Sequence, residues 1–319
     1  MKKIIAPLLA ALTLLPLLCG CGGGETAREL TAVRLNEVTH SVFYAPQYVA
    51  MELGFFEEEG LAIQLTNGGG ADKVMTAVVS GQSDIGLAGP ESCIYIYNQG
   101  KEDHPVVFGQ LTACDGAFLM GREDVTFDWE QLRGKTIIGG RKGGVPEMTL
   151  EYVLRQHGLE PQVDVTVDTS VQFNMMAGAF TGGQGDYVTL FEPAATQVAA
   201  AGEGYILCSI GSQSYTATNP AVIAAFCRAV ARALDWVDTH TDREVAQAII
   251  GQFPDTDLDT LEAVTARHRE IGAWNMPLTM EKTALERLET VMTQAGELTE
   301  ADWVDFDRLV DNRWAQAAR

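Results

Sequence analysis

An α/β fold with largely parallel sheets, divided between two similar lobes, is what this sequence predicts. Three observations predict it. Strand-like and helix-like segments alternate from residue 30 onward. Two such blocks follow one another, and 319 residues exceed what one hydrophobic core usually serves, so two units of roughly 100–150 residues are expected.

In the first block, residues 30–38 alternate as a strand. Residues 44–58 read as a helix with Ala45, Val49, Leu53 and Phe56 on one face. Strands at 61–66, 84–88 and 105–111 follow, separated by helices at 71–80 and 91–98. In the second block a short helical turn at 129–132 leads to strands at 135–139, 163–167 and 186–191. These are interleaved with helices at 148–156 and 173–180, then a helix at 194–201 and a last strand at 205–210. From Pro220 the chain is helical. Asn219 is a good N-cap, Pro220 suits the first helical position, and Val222, Phe226, Val230, Leu234 and Val237 recur at helical spacing. Further helices are expected at 244–250, 258–271 and 280–295. Their acidic positions (Asp257, Asp259, Glu262, Glu286, Glu289) read as solvated faces.

Composition narrows the function. Hydrophobic residues make up 46% and charged residues 20%, as in ordinary globular chains. Lys plus Arg is 22 against 43 for Asp plus Glu, a formal net charge of −21. Such a field repels polyanions and no stretch concentrates basic residues, so nucleic acid is excluded as a partner.

The first twenty residues differ from the rest. Lys2 and Lys3 precede an apolar run, residues 4–18, broken only by Pro7, Thr13 and Pro16. That is the layout of a secretory signal, too short for a comfortable membrane span. It closes in Leu18-Cys19-Gly20-Cys21, which resembles the lipobox of bacterial lipoproteins. The resemblance implies cleavage after residue 20, a lipid on the Cys21 thiol and, over residues 21–29, a flexible tether starting at Gly22. The protein is therefore expected at the outer face of the cytoplasmic membrane, anchored through that lipid. The remaining cysteines, Cys93, Cys114, Cys208 and Cys227, allow three pairings, and their spacings select none. With no CxxC and no Cys/His cluster, neither a metal site nor a cofactor is expected, and the thiols read as small buried hydrophobes.

Residues 48–91 carry the functional signal: a helix ended by a glycine turn, a strand, a glycine loop opening a helix, and a strand ending at Gly89. Glu52-Leu53-Gly54-Phe55-Phe56, Glu59-Gly60-Leu61 and the run GQSDIGLAG from Gly81 lie in it. Later come LRGKTIIGG from Leu132, GGQGDYVTLFEP ending at Pro193, and NPAVIAAFCRAVARALDWV from Asn219. Together, in this order, these pieces resemble the substrate-binding proteins of the NMT1/THI5-like and nitrate/sulfonate/taurine group of ABC importers. The resemblance covers nearly the whole mature chain. It implies a type II periplasmic-binding-protein fold: lobe I from residues 30–118 plus 213–319, lobe II from residues 119–212, and a solute between them. It also implies an importer permease as partner, a monomer, and binding rather than catalysis. The same group includes pyrimidine synthases with a cysteine-rich motif and an active-site His, but this chain has no cluster of adjacent cysteines and its five histidines are scattered. One departure is specific: residues 211–219 are short where the group usually carries an extended return segment between lobes.

In open α/β sheets ligands sit beyond the carboxyl ends of the strands. That rule nominates the loops 40–46, 68–70, 89–91, 114–116 and 143–147, and the end of the 186–191 strand. The candidate ligand-binding residues are His40, Tyr44, Tyr48, Gly70, Gly89, Pro90, Glu91, Asp115, Gly143, Gly144, Phe191 and Glu192. Aromatic faces and carboxylates suit a flat amino-bearing heterocycle such as a thiamine-precursor-like pyrimidine. Glycine-loop N–H groups with Arg141 and Lys142 suit an anion such as an alkanesulfonate, taurine or nitrate. Cleft carboxylates (Glu91, Asp115, Glu147, Glu192) outnumber the two cations, so the pyrimidine is favoured. The anchor has a direct test: Cys21→Ser should move the protein from the membrane fraction to the soluble fraction. A variant that stays membrane-bound like wild type would refute the lipidation.

Overall fold

Two five-stranded sheets carry the chain. The computed structural model describes residues 29–122, 127–195, 200–201, 207–212, 219–274 and 277–318. The leader, Cys21 and the short run at 213–218 lie outside the described residues.

The first sheet contains β1 (Thr31–Glu37), β2 (Leu61–Asn67), β3 (Ile85–Ala88), β4 (Pro105–Thr112) and β10 (Leu207–Ser212), in the order β2-β1-β3-β10-β4. β1 pairs in parallel with β2, Thr31 opposite Leu61, and with β3, Leu35 opposite Ile85. The second sheet contains β5 (Phe118–Gly121), β6 (Thr136–Ile138), β7 (Thr166–Asp168), β8 (Tyr187–Leu190) and β9 (Ala200–Ala201), ordered β7-β6-β8-β5-β9. In each sheet the strand arriving from the other runs against its neighbours: β10 is antiparallel to β3 and β4, and β5 is antiparallel to β8. Residues 113–117 lead from the first sheet to the second, and β10 belongs again to the first.

Four sequence expectations change here. The segment expected as a helix at 194–201 ends in strand β9, Ala200–Ala201, which pairs with β5. Residues 205–210 were expected to close the second lobe, but β10 pairs within the first sheet. It is itself the return strand, so the shortness of residues 211–219 removes no crossover. Residues 44–58 form two helices, α1 (Ala45–Glu52) and α2 (Phe55–Glu58), because Gly54 takes φ 73° between them, a conformation glycine adopts freely. Glu289 is not on a solvated face. It is buried and accepts the Val304 N–H at 2.7 Å.

Helices α3 (Ala71–Val79) and α4 (Glu91–Asn98) start directly after the glycine loops that end β2 and β3. α5 (Val145–Gln156) and α6 (Met176–Thr181) belong to the second lobe. The C-terminal helices are α7 (Pro220–Thr239), α8 (Asp242–Ile249), α9 (Leu258–Glu270) and α10 (Lys282–Gln294), with short turns α11 (Phe306–Leu309) and α12 (Arg313–Ala317). The α7 stripe of Phe226, Val230, Leu234 and Val237 packs into the core beneath β1 and β4 with Tyr48, Phe56 and Phe108. α8 opens with a capping box in which Thr241 and Glu244 satisfy each other's backbone N–H groups. The free edge of β4 is covered by Val310, bridged to Val107, with the Asp311 N–H on the Val107 carbonyl at 2.7 Å. Val145 and Met148 of α5 lie in one apolar cluster with Met75, Ile94 and Leu288, so the lobes share a core at the cleft. Among the described residues no helix is long and apolar enough to cross a membrane.

The crossing segment is held by close approach: a Cβ on Gly116 would sit 2.5 Å from the Phe43 ring. Gly116→Ala is expected to cost about 1–3 kcal/mol of stability, the usual range for overpacking. Gly109→Ala, whose Cβ meets Leu278 at 3.4 Å, should cost less. Urea denaturation of both variants checks the order.

Candidate functional site

The carboxyl ends of β1, β2 and β3 face those of β6, β7 and β8 across a cavity of about 50 Å³. Its first-lobe wall includes Tyr44, Gly70, Asp72, Gly89 and Glu91; the second lobe supplies Arg141, Gly144, Glu147, Phe173 and Phe191. Six of the twelve nominated residues therefore line it: Tyr44, Gly70, Gly89, Glu91, Gly144 and Phe191.

Glu91 is the first residue of α4 and is 1% exposed. Its carboxylate folds back across the end of β3, where a Cβ on Gly89 would lie 2.0 Å from Oε2. Only glycine leaves that room. Ser92 Oγ stands 3.4 Å from Oε1, while Oε2 has no hydrogen-bond partner among the described residues. Burial pushes the carboxyl up to about 7, against the pull of the Arg141 guanidinium. The buried Tyr44 hydroxyl is also unpartnered, and burial holds it well above the ordinary phenol range.

Asp115 sits on the crossing segment and does not line the cavity. Its Oδ1 accepts the Ala117 N–H at 2.6 Å, its Oδ2 is unpartnered, and burial raises it to about 7. Its charge is felt at Tyr44, and that of Glu91 at Asp115.

Four other nominees are committed elsewhere. His40 Nδ1 meets Glu37 Oε1 at 2.7 Å and its Nε2 meets the Gln252 carbonyl at 2.8 Å. Tyr48 donates to Glu37 Oε2 at 2.8 Å. This network satisfies the buried Glu37 and pins the residue 40–46 loop. The Gly143 carbonyl accepts from Tyr95 Oη at 3.0 Å, and its N–H goes to Glu147 Oε2 at 3.0 Å. Glu192 forms an ion pair with Arg267 of α9. Pro90 serves as the N-cap position of α4 and stands outside the wall. Among the described residues, Cys93, Cys114 and Cys227 are not joined in disulfides.

Besides Arg267–Glu192 and the Ser41 hydroxyl, which donates to the Glu192 carbonyl at 2.5 Å, three bonds among the described residues tie the lobes across the mouth. Arg141 Nε lies 3.5 Å from Asp72 Oδ1, Lys142 Nζ lies 3.4 Å from Glu297 Oε1, and Tyr95 reaches Gly143. Lys142 also neutralises Glu147 and Glu151, at 3.3 and 3.7 Å. The residues that sequence reasoning missed, Asp72, Gly140, Gln172 and Phe173, stand where the strand-end rule looks. The end of β7 was simply not nominated. No cluster of His, Cys, Asp and Glu suited to a metal ion occurs among the described residues.

The family model described as "NMT1/THI5 like" matches residues 42–244, well over half the chain. The chain belongs to this family. A Bacillus subtilis (strain 168) protein, YtlA, named as a candidate binding protein, is 40% identical over 94% of this NMT1/THI5-like chain and 92% of its own. The 4-amino-5-hydroxymethyl-2-methylpyrimidine phosphate synthase of Aspergillus parasiticus is 26% identical over 61% of this chain and 63% of its own. Solved structures show the same fold. The ligand-binding component of an ABC-type import system from Staphylococcus aureus superposes with TM-score 0.73 at 12% identity, over 91% of this chain and 99% of that one. The periplasmic nitrate-binding protein NrtA of Synechocystis PCC 6803 gives 0.72 at 15% identity, over 92% and 89%. The family member described here thus has a periplasmic-binding-protein fold with its cavity between the two sheets.

The raised carboxyls set a pH response. Their folded values, about 7, exceed the ordinary carboxylate values, so the protonated forms stabilise the fold fully below pH ~4 and that contribution is lost as pH rises through about 7. Ligand-free protein should lose stability between pH 5 and 8. Glu91→Gln should flatten the loss and be more stable than wild type at pH 8 by roughly 1–3 kcal/mol. Urea midpoints across that range test it, and an unchanged slope in the variant would contradict it.

Proposed function

We propose that this chain is the solute-capturing component of an ABC importer. It is held outside the cytoplasmic membrane by a lipid on Cys21 and takes a thiamine-precursor-like pyrimidine or a close amino-bearing heterocycle. The observation that carries the ligand class is the set of unpartnered buried atoms at the cavity: Tyr44 Oη, Glu91 Oε2 and, next to them, Asp115 Oδ2. Two are carboxylate oxygens that only accept hydrogen bonds when ionised, and the N–H groups of an exocyclic amine satisfy them. Phe173, Phe191 and Tyr44 offer ring faces for a flat solute. An anion placed there would meet Glu91 instead.

The second reading, an alkanesulfonate, taurine or nitrate, draws on Arg141 at the mouth. Arg141 faces Asp72 and the field of Glu91, so the balance of charge favours the amine. The synthase reading has a low-identity relative behind it. The chain lacks adjacent cysteines, and its nominated histidine, His40, is bound into the Glu37 network, so capture without turnover is the reading we adopt.

Calorimetric titration with 4-amino-5-hydroxymethyl-2-methylpyrimidine tests the proposal. Binding should tighten as pH rises from 6 to 8, because Glu91 gives up its proton over that interval. Glu91→Gln should weaken it by about 1.5–3 kcal/mol, the worth of a hydrogen bond to a charged group. Tight methanesulfonate or nitrate binding that improves in Glu91→Gln would replace the pyrimidine with an anion.

A further inference from the structure

Glu37 ends β1 and is fully buried. Its Oε2 accepts from Tyr48 Oη at 2.8 Å and from Gln47 Nε2 at 3.3 Å, and its Oε1 faces His40 Nδ1 at 2.7 Å. The other ring nitrogen, Nε2, lies 2.8 Å from the Gln252 carbonyl. A carboxylate and a carbonyl only accept, and a neutral imidazole has a single N–H to give. With Glu37 ionised, both ring nitrogens must donate, so the arrangement calls for an imidazolium. Deprotonation leaves two acceptors with one donor between them, and a buried carboxylate without its counter-charge. The hydrogen bond to Glu37 holds the imidazole above its ordinary range, against the opposite pull of burial. Glu37 is the charged group that acts on the ring, and Tyr48 Oη, 3.2 Å from Nδ1, is the titratable group of α1 beside it. The turn after α8 contributes the Gln252 carbonyl and the Phe253 ring, both uncharged, while Glu52 is taken up by the Gln252 side chain. The His40 side chain is 31% exposed, so its proton exchanges with solvent.

The next residue links this proton to the cleft. Ser41 gives its N–H to Tyr48 Oη at 3.2 Å and its hydroxyl to the Glu192 carbonyl of the second lobe, and its Oγ accepts the Phe43 N–H at 3.2 Å. The Tyr44 N–H bonds the Ser41 carbonyl at 2.9 Å. The Tyr44 side chain lines the cavity, where the charge of Glu37 is felt.

We propose that His40 is a positioning residue: as an imidazolium it clamps the turn from Ser41 to Tyr44, and loss of its proton slackens both the Ser41–Glu192 contact and the first-lobe wall of the cavity. The device does not depend on which solute is captured. Because the folded value is raised above the ordinary imidazole value of about 6.5, the clamp is complete below that pH and is lost as pH rises through the folded value.

Two measurements on the solute-free protein test the clamp. In NMR of histidine-labelled protein, the His40 ring, identified by its loss in His40→Gln, should titrate above free imidazole in wild type and lower in Glu37→Gln. In that variant the amide donates to Nδ1 and its oxygen still accepts from Tyr48, so a neutral imidazole completes the network. In amide hydrogen exchange, corrected for the intrinsic effect of pH, Ser41, Phe43 and Tyr44 of wild type should lose about tenfold in protection between pH 6 and pH 9. Glu37→Gln should keep most of it. Glu91 and Asp115 ionise over part of the same range, so the difference between wild type and Glu37→Gln is the measure. His40→Gln should exchange at pH 6 about as fast as wild type does at pH 9, and it decides the matter if Glu37→Gln does not fold. A wild-type His40 that titrates at or below free imidazole overturns the proposal. So does an equal pH response in wild type and Glu37→Gln, or wild-type protection at pH 6 in His40→Gln.

Discussion

A carboxylate removed from water without a cation in contact is costly, and the interior of this cleft is arranged around one. Glu91 lies across the end of β3 because Gly89 has no side chain to occupy that place. From that single placement follow the proton held near neutrality, the pull on Arg141 from the opposite lobe, and the pressure on Tyr44 and Asp115. On the reading proposed above, an N–H donor of the solute relieves the penalty, and part of the binding free energy is then stored in the unliganded fold as unmet hydrogen-bonding capacity.

The two lobes meet through a mixture of interactions with different ranges. Val145 and Met148 share an apolar cluster with first-lobe side chains, a contact that is insensitive to salt. Around it stand the pairs Asp72–Arg141, Glu297–Lys142 and Glu192–Arg267. The first two are partly exposed and screened, and contribute mostly orientation. Glu192 has a fully buried side chain, so its pairing with Arg267 is needed to keep that charge inside.

Much of this was legible in the sequence, for a physical reason. Strand and helix periodicities are local, and a parallel sheet puts its loops at one end, so Tyr44, Gly89, Glu91 and Phe191 were found from strand ends alone. What was not legible depends on partners far along the chain. Glu192 had the right position by the same rule, but Arg267, seventy-five residues later, claims its carboxylate. His40 and Tyr48 were drawn away by Glu37, whose burial no periodicity announces. Glu289 reads as a surface residue until the Val304 backbone is placed over it. The sheet membership of β10 belongs to the same class, since either sheet satisfies its apolar pattern.

That membership bears on how the molecule comes into being. When the ribosome has made only the first hundred or so residues, β3 and β4 cannot be neighbours in a finished sheet, because the strand between them is still more than ninety positions away. The outer edge of β4 stays uncovered longer still, until Val310 is made. The first half of the chain to be synthesised is thus the last to be completed. Its contacts are non-local, which slows folding and leaves unpaired strand edges exposed to other chains meanwhile. A nascent chain of this topology keeps those strand edges without their final partners for most of its synthesis.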